Sequence, residues 1–386
     1  MPLIQPFRLG DTFLIQRLGR QATNLNAVQA LLQPRTPASA ALTAVIPWGD
    51  AKVATFVLKQ PGHRLIRAGF IQVQKRPRRP EYVINLLAPA LDTPSGHPAI
   101  WEKLLSFTIT EASQYQIERI YVDVPDQPLL VNSFAHVGFS VYTRQTIWRL
   151  QAHEVEGQGF ESTDSQRTGI IRPAVAEDEW ALQRLYAQVT PGSVRQAECG
   201  DGQDESKAPI LFDRVAGICS RYVLVEAGEI SGALHLLRGN RGTWLSIWTD
   251  TLQVDGRRAR QLLCFGLKTV QAESLQMPVY VGVSDYHGGL SALLDELGFA
   301  PFTDLAKMVK HIMARVKKGT TAKIPALESV GEAVTTPYIS HSEFSRRGIS
   351  HQGITIRTVH RRPRHSNIGH DELVGKSEKY AGTSTR

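Results

Sequence analysis

The chain has 386 residues, a length typical of two or three domains, and 42% of them are hydrophobic. This composition supports packed cores and excludes a largely disordered polypeptide, and no apolar run approaches the ~18 residues of a membrane-spanning helix. The N-terminal sequence has no basic segment followed by an apolar one, so we expect no signal peptide and a cytoplasmic protein without membrane partners. The three cysteines are widely spaced, a pattern typical of unpaired thiols and not of a metal site or a disulfide framework.

The net charge of +8 is unevenly distributed along the chain. Residues 317–386 contain twelve Lys or Arg and six Asp or Glu, so this segment alone carries +6. It is rich in Ser, Thr and Gly and poor in large apolar residues, so burial cannot offset its chain entropy. We therefore predict a disordered basic tail. Its basic run at 360–365 predicts weak, non-specific nucleic-acid binding, and a solubilising tail without a specific partner is the alternative.

The first half of the chain predicts a mixed order of helices and strands from its hydrophobic spacing and turn residues. Asn24 is the predicted cap of the second helix. Residues 75–81, which include four basic residues, predict a turn between two antiparallel strands. In chain order the predicted elements are a strand at 2–7, helices at 10–22 and 26–33, strands at 53–60, 65–74 and 82–91, a helix from 98, a strand at 119–125, a helix ending at 137, and a strand at 143–150.

The second half predicts the same order after a polar linker at 152–168. Glu177 and Asp178 open its first helix, where the helix dipole favours acidic side chains. Residues 193–209 are polar and contain Gly, so they predict a loop. The last segment, 305–316, is compatible with a helix but occupies the same slot as the strand at 143–150. In chain order the predicted elements are a strand at 169–174, a helix at 178–189, a hairpin at 221–239, a strand at 243–254, a helix from 257, a strand at 279–285, a helix ending at 297, and a strand at 305–316.

One unit recurs in both halves, about 160 residues apart. A long helix leads into a buried strand, and a short helix then ends at a Gly-Phe pair, which is Gly138-Phe139 in the first half and Gly298-Phe299 in the second. This spacing is too long for a solenoid repeat and indicates two copies of one domain.

The order of elements resembles the GNAT N-acetyltransferase superfamily, and two copies resemble a tandem GNAT protein. The resemblance covers roughly residues 3–150 and 169–316. It implies a mixed α/β fold with two GNAT-like acyl-CoA N-acyltransferase domains, at 1–151 and 169–316, joined by the linker and followed by the basic tail. It also implies that the central strands of each domain separate, and that the pantetheine of acyl-CoA enters the gap between them.

In this family a loop of the form Gln/Arg-x-x-Gly-x-Gly/Ala presents backbone N–H groups to the pyrophosphate at the start of the central helix. In the second copy the resemblance places Val254, Arg257 and Ala259 at the three defined positions, so only the last one fits. Gly256 lies one residue early and could supply the flexibility that close approach to a phosphate requires.

The start of the same helix carries three basic residues, Arg257, Arg258 and Arg260. They could bind the phosphates by charge instead of by backbone. The alternative is that they are solvated side chains without a ligand.

The first copy departs further from the loop pattern. The resemblance places Gly96, Ala99 and Trp101 at the three positions, and an indole at the last one would fill the space that a pyrophosphate needs. Trp101 is more simply a core or interface residue. We therefore expect acetyl-CoA to bind only to the second copy.

The family often uses a Tyr, five residues before the aromatic of the Gly-Phe pair, as a general acid toward the leaving thiolate. Phe134 and Leu294 occupy this position in the two copies, and neither has a proton to donate. Tyr286 follows the buried strand of the second copy and is a candidate acid from a different direction. A packing role is the alternative for this side chain.

The general base of the family is usually a carboxylate on the central strands. Asp250 and Glu226 are the candidates in the second copy, and Glu81 is the nearest in the first. His235 alternates with apolar neighbours and is a further candidate for a base near neutral pH, although a structural histidine is the alternative.

The resemblance therefore implies a cytoplasmic transferase that moves an acetyl or acyl group from acetyl-CoA to an unidentified small-molecule or protein amine through its second domain. The alternative is a non-catalytic pseudo-acetyltransferase or interaction scaffold with a basic tail. The sequence predicts no metal site. It leaves open the acceptor, the packing of the two halves and the role of the tail.

Overall fold

The structure is a computed structural model. It describes residues 3–43, 53–60, 67–77, 79–157, 169–199, 208–209, 218–249, 256–273 and 277–312. The predicted tail at 317–386 lies outside the described residues, as does the predicted linker beyond residue 157.

The second part of each half has the same order of elements, which is three strands, a long helix, a strand, a short helix and a last strand. The described helices are α1 (Thr12–Gly19), α2 (Ala27–Leu32), α3 (Pro37–Thr43), α4 (Pro98–Gln114), α5 (Pro128–His136), α6 (Ala152–Gly157), α7 (Glu179–Val189), α8 (Gly192–Cys199), α9 (Arg257–Ala272) and α10 (Leu290–Glu296). The described strands are β1 (Leu3–Pro6), β2 (Thr23–Asn24), β3 (Val53–Gln60), β4 (Arg67–Lys75), β5 (Glu81–Ala88), β6 (Arg119–Pro125), β7 (Ser140–Leu150), β8 (Ile170–Pro173), β9 (Ile218–Glu226), β10 (Glu229–Arg238), β11 (Thr243–Thr249), β12 (Val279–Ser284) and β13 (Ala300–His311). No helix in these ranges is both long and apolar enough to cross a membrane.

The two halves form one continuous sheet by exchanging their last strands. The strand order is β1-β3-β4-β5-β6-β13-β7-β12-β11-β10-β9-β8, and β2 pairs with β5 off this path. The last strand of the second half, β13, lies between β6 and β7 of the first half. Conversely, β7 lies between β13 and β12 of the second half. The mixed α/β fold predicted for the two halves is thus confirmed, while the predicted domain boundaries stay a prediction.

The exchange is nearly symmetric about the contact between β7 and β13. The backbone N–H of Asp126, after β6, donates to the carbonyl oxygen of Asp304 at 3.0 Å. The N–H of Asp285, after β12, donates in the same way to the carbonyl oxygen of Arg144 at 3.0 Å. Each half therefore contacts the exchanged strand of the other half through an equivalent pair of residues.

Helices cover both faces of the sheet, as strand alternation requires. Val122 and Val124 of β6 belong to the apolar cluster that contains α4. Tyr121, which precedes Val122 and alternates with it along the strand, donates a hydrogen bond to the carbonyl oxygen of Ala197 in α8 at 2.9 Å. Thus α4 and α8 lie on opposite faces, and α8 of the second half covers a strand of the first.

The first half covers the second half in the same way. Leu32, at the end of α2, is fully buried in a cluster with Trp244 of β11 and Tyr280 of β12. Its carbonyl oxygen accepts a hydrogen bond from the backbone N–H of Arg241 at 3.1 Å. Helices as well as strands therefore cross between the halves.

A buried group of charges, here called the Glu81 cluster, fixes the turn at 75–81 against α8. Glu81 is fully buried and pairs with Arg76 and Arg79 at 3.0 Å each and with Arg119 at 3.4 Å. Burial lowers the pKa of Arg79, and the carboxylate of Glu81 counteracts this effect. A Nη atom of Arg119 also lies 3.5 Å from the carbonyl oxygen of Ala197. The predicted basic turn is therefore part of the contact between the halves, and Glu81, the candidate base of the first copy, is enclosed by arginines.

Three local predictions need correction or confirmation. The cap of α2 is Asn26, whose side-chain oxygen accepts from the N–H of Gln29 at 3.2 Å, and not Asn24, which lies in β2. Residues 192–199, most of which were predicted as loop, form α8 because Val194 and Ala197 bury one face. The segment that ends the second half is a strand, β13, as its slot predicted.

We expect Asn26→Ala to lower the free energy of unfolding by about 1 kcal/mol, the usual contribution of a helix cap. The side chain of Asn26 also donates a hydrogen bond to Asn85 at 2.9 Å, so we expect the loss of stability to be at least as large as that of a cap alone. Asn24→Ala is the matched control, since Asn24 is exposed and should change stability little. Urea denaturation of both variants measures the difference. Equal losses would place the cap elsewhere.

Cutting the chain between α6 and β8 should not separate the halves. A protease site inserted within residues 158–168 would leave β7 and β13 exchanged, so both fragments must stay together. We expect the cleaved protein to elute as one species in size-exclusion chromatography and to separate only in urea. Separation into two folded halves under native conditions would contradict the exchange.

Candidate functional site

Each half contains one pair of parallel strands that start together and then separate. β5 and β6 pair at three positions, the last being Val83 with Tyr121, although β5 continues to Ala88. β11 and β12 also pair at three positions, the last being Leu245 with Val281. Beyond these positions the structure describes no pairing within either couple. We call the space between β5 and β6 the first gap and that between β11 and β12 the second gap.

The chain itself fills the first gap. β2 pairs with the last part of β5 on the side of the gap. The next residue, Leu25, donates its N–H to the carbonyl oxygen of Asn85 at 2.9 Å, and its own carbonyl oxygen accepts from the N–H of Asp123 at 3.0 Å. Leu25 is fully buried. Residues 23–25 thus bridge β5 and β6 with backbone hydrogen bonds. The backbone groups of β5 and β6 that face the gap at these positions already have partners.

Trp101 fills the start of α4, the central helix of the first half. The indole is fully buried, and its N–H donates to the carbonyl oxygen of Pro89 at 2.7 Å. Its ring contacts Phe134 edge to face, with centroids 5.8 Å apart. The expectation that Trp101 is a core residue is confirmed. Its surroundings offer no space for a pyrophosphate.

The start of α9, the equivalent helix in the second half, differs in shape. Gly256 precedes the helix with a left-handed φ of 52°, and a Cβ added there would meet no heavy atom within 4 Å among the described residues. The first hydrogen bond of the helix runs from the N–H of Arg260 to the carbonyl oxygen of Gly256, at 2.9 Å. The N–H groups of residues 257–259 therefore precede the helical ladder, as an anion site at a helix start requires.

The three arginines of α9 have different surroundings. Arg258 forms an ion pair with Glu226, with Nη2 2.6 Å from Oε2. Arg260 forms an ion pair with Glu296. Arg257 is exposed. The side chain of Arg258 can thus reach a phosphate only by competing with Glu226, and the candidate base Glu226 is the counterion of Arg258. Ala259, the residue that fits the family loop, is buried.

Tyr286 lies two residues beyond the end of β12, beside the second gap. Its hydroxyl lies near Ser284 and Thr190, and its ring contacts His287 with centroids 4.4 Å apart. Burial, together with the nearby carboxylate of Glu198, raises the pKa of Tyr286 well above its ordinary value. The hydroxyl therefore keeps its proton at neutral pH. Its role as a general acid stays a prediction.

The structure adds little about the other candidate residues. Asp250 and Val254 lie outside the described residues. Phe134 and Leu294, at the position of the family tyrosine, are fully buried and apolar.

His235 lies on β10, opposite Ser246 of β11, which borders the second gap. The imidazole contacts the ring of Trp248, with centroids 4.5 Å apart. Its Nε2 atom is buried and has no hydrogen-bond partner in the described part of the chain. Burial, and to a lesser extent the charge of Arg221, lower the pKa of His235 to about 3. The side chain is therefore neutral near pH 7 and is a weak base.

Sequence reasoning missed a pair of polar side chains on α7 and α8. The hydroxyl of Tyr186 donates to Oε2 of Glu198 at 2.6 Å, and burial raises the pKa of Glu198. Pro191 directly before α8, with apolar residues three apart inside it, was the available signal for this helix. The Gly-containing polar composition of the segment concealed it.

Comparisons with known proteins add a fold likeness. No protein-family profile matches the chain, and no curated protein matches it. A tandem GNAT protein from the clavulanic acid biosynthesis pathway, solved without AcCoA, is similar at 11% identity and a TM-score of 0.47, covering 81% of this chain and 99% of its own. A GCN5-related N-acetyltransferase from Sphaerobacter thermophilus is similar at 13% identity and a TM-score of 0.45, covering 81% of this chain and 96% of its own.

A probable N-acyltransferase from Enterococcus faecalis V583 is similar at 8% identity and a TM-score of 0.37, covering 81% of this chain and 72% of its own. Such values are too low to transfer an activity or a site. The GNAT-like description of the two halves rests on their order of elements and on the two separating parallel pairs.

The buried imidazole of His235 predicts a pH-dependent stability. Its pKa of about 3 in the folded chain is below the ordinary value of about 6.5 in an unfolded one, so protonation favours unfolding. Stability should therefore fall as pH decreases from about 6.5 toward 3, and His235 should contribute about 2 kcal/mol of this loss by pH 5. Comparing the urea denaturation of wild type with His235→Phe at pH 7 and pH 5 measures this share. Parallel losses in both proteins would contradict it.

Proposed function

We propose that the chain is an N-acyltransferase that binds one acyl-CoA, in the second gap, and transfers the acyl group to an amine. The contrast between the two gaps is the observation that carries this proposal. Residues 23–25 and Trp101 occupy the first gap and the start of its helix. No described residue pairs with β11 beyond Leu245 on the side of β12, and a Cβ built on Gly256 at the start of α9 would meet no heavy atom of the described residues within 4 Å.

Two parts of the second half suit two parts of acyl-CoA, the pyrophosphate and the pantetheine. The N–H groups at the start of α9 suit the pyrophosphate, with the exposed Arg257 beside them. Beyond Leu245 the edge of β11 toward β12 pairs with no described residue, and it offers backbone groups to the pantetheine amides. When bound, acyl-CoA would supply an activated thioester.

The transfer also requires an acid that protonates the leaving thiolate and a base that deprotonates the amine. Tyr286 keeps its proton at neutral pH and lies beside the end of β12, which supports a proposed role as the acid that protonates a leaving thiolate. An amine acceptor needs mainly deprotonation and correct placement before it attacks. Asp250 and Glu226 stay candidates for the base.

A non-catalytic scaffold is the second candidate function, and one observation favours it. Arg258 and Arg260 of α9 already pair with carboxylates of the chain, so the charge that these two offer to a phosphate is smaller than the sequence indicates. Under this alternative the basic tail would provide the partner contact. Weak, salt-sensitive nucleic-acid binding by the tail is part of that proposal.

Calorimetric titration with acetyl-CoA tests the proposal. We expect one site per chain, and about tenfold weaker binding in Arg257→Glu because the new charge repels the phosphates. Ala99→Glu is the matched control, since Ala99 holds the equivalent loop position at the start of α4. It should leave the affinity unchanged.

Three results would contradict the proposal. They are two sites per chain, equal weakening by the two substitutions, and no binding at all. The last result would favour the scaffold.

A further inference from the structure

A polar cluster lies between α7, α8 and the sheet, beside the end of β12. Glu198 of α8 lies at its centre and accepts a hydrogen bond from Tyr186. Tyr186 of α7, Tyr142 of β7 and Tyr286 after β12 lie around it, and each of the three hydroxyls has its pKa raised in part by the charge of Glu198. Four separate elements thus bring one carboxylate and three phenol rings together.

The carboxylate of Glu198 is held in place from two directions. Its Oε2 accepts the hydrogen bond from Tyr186 at 2.6 Å. The hydroxyl of Tyr121 lies 2.9 Å from the carbonyl oxygen of Ala197 and 3.2 Å from that of Glu198, and so fixes the backbone at the end of α8. A side chain fixed in this way loses little further entropy when it binds a ligand.

The basic side chains nearest to Glu198 already have other partners. Lys307 of β13 donates to Asp123 at 3.1 Å, and Arg76 and Arg79 belong to the Glu81 cluster. Burial raises the pKa of Glu198. The more distant positive charges of these side chains lower the same pKa by a smaller amount. In the described residues no Lys or Arg forms an ion pair with this carboxylate, so Glu198 lacks a direct counterion there.

A fixed carboxylate among aromatic rings is suited to one ligand chemistry. Tyrosine faces attract ammonium groups, and a carboxylate adds a charge-assisted hydrogen bond. Thr190 supplies a further polar atom, since its hydroxyl is buried beside Tyr286 and makes no hydrogen bond that meets ordinary geometry within the described residues. The site therefore has an anion, aromatic surfaces and a hydroxyl that a bound amine would satisfy.

We propose that Glu198, oriented by Tyr186, binds the ammonium group of the acceptor between the rings of Tyr142 and Tyr286. This inference rests on the proposed function and assigns its amine site to α8 instead of to the central strands. Tyr286 borders both this site and the second gap. An amine bound at Glu198 would therefore lie at the same strand end as the thioester.

Direct binding of a simple amine tests the site without knowledge of the true acceptor. The full chain, with ¹³C-labelled tyrosine rings, is titrated with butylammonium chloride and, as an uncharged match, with n-butanol, and the ring signals are followed by NMR. We expect saturable shifts of Tyr142 and Tyr286 with butylammonium and none with butanol. Glu198→Gln should weaken binding at least tenfold, whereas Glu229→Gln, an exposed control on β10, should leave it unchanged.

Tyr186→Phe keeps the charge of Glu198 and removes only its orienting hydrogen bond. It should weaken butylammonium binding several-fold, and it serves as the second variant if Glu198→Gln does not fold. Equal response to butanol and butylammonium, no response to butylammonium, or unchanged binding in both variants would overturn the site.

Acetyl-CoA titration of the same proteins separates this inference from the proposed function. Glu198→Gln should bind acetyl-CoA as wild type does. Acetyl-CoA binding without butylammonium binding overturns the amine site alone. Butylammonium binding at Glu198 without acetyl-CoA binding supports the amine site and overturns the transferase.

Discussion

The pairing of β13 with both β6 and β7 is the contact on which the rest of the fold depends. Without it β6 would end the sheet of the first half, and β7 would have only β12 as a neighbour. The exchange also brings α8 over Tyr121 and α2 over Tyr280, which places the Glu81 cluster and the Glu198 site at the junction. Neither half contains a complete sheet or a complete set of covering helices by itself.

The two halves share an architecture, but different residues surround their gaps. In the first half the chain forms with Leu25 the backbone hydrogen bonds that a ligand would otherwise form, and an indole fills the start of the central helix. In the second half a left-handed glycine precedes the helix, and a Cβ built on it would meet no heavy atom of the described residues within 4 Å. The first half thus fills its own gap and also supplies β7 to the sheet of the second half.

Local patterns predicted most elements, because helix and strand periodicity, caps and turns depend on neighbouring residues. The repeat even assigned β13 as a strand against its helical alternative. The exchange itself could not be predicted, since alternating residues do not specify which strand they pair with. Two-residue β2 and the choice of Asn26 over Asn24 depend on tertiary contacts. Trp101 was recognised by its size, whereas Glu198 was missed because its helix is polar and its aromatic partners come from distant segments.

The exchange also has a consequence for synthesis on the ribosome. β6 ends at Pro125, but β13, which pairs with the edge of β6 opposite to β5, begins only at Ala300. For the whole interval of translation between them, the first half exposes strand edges that can pair with other nascent chains. Contacts so distant in sequence also form slowly. The nascent chain must therefore wait for its own last strand, and its yield in a cell should depend on how well chaperones protect those edges.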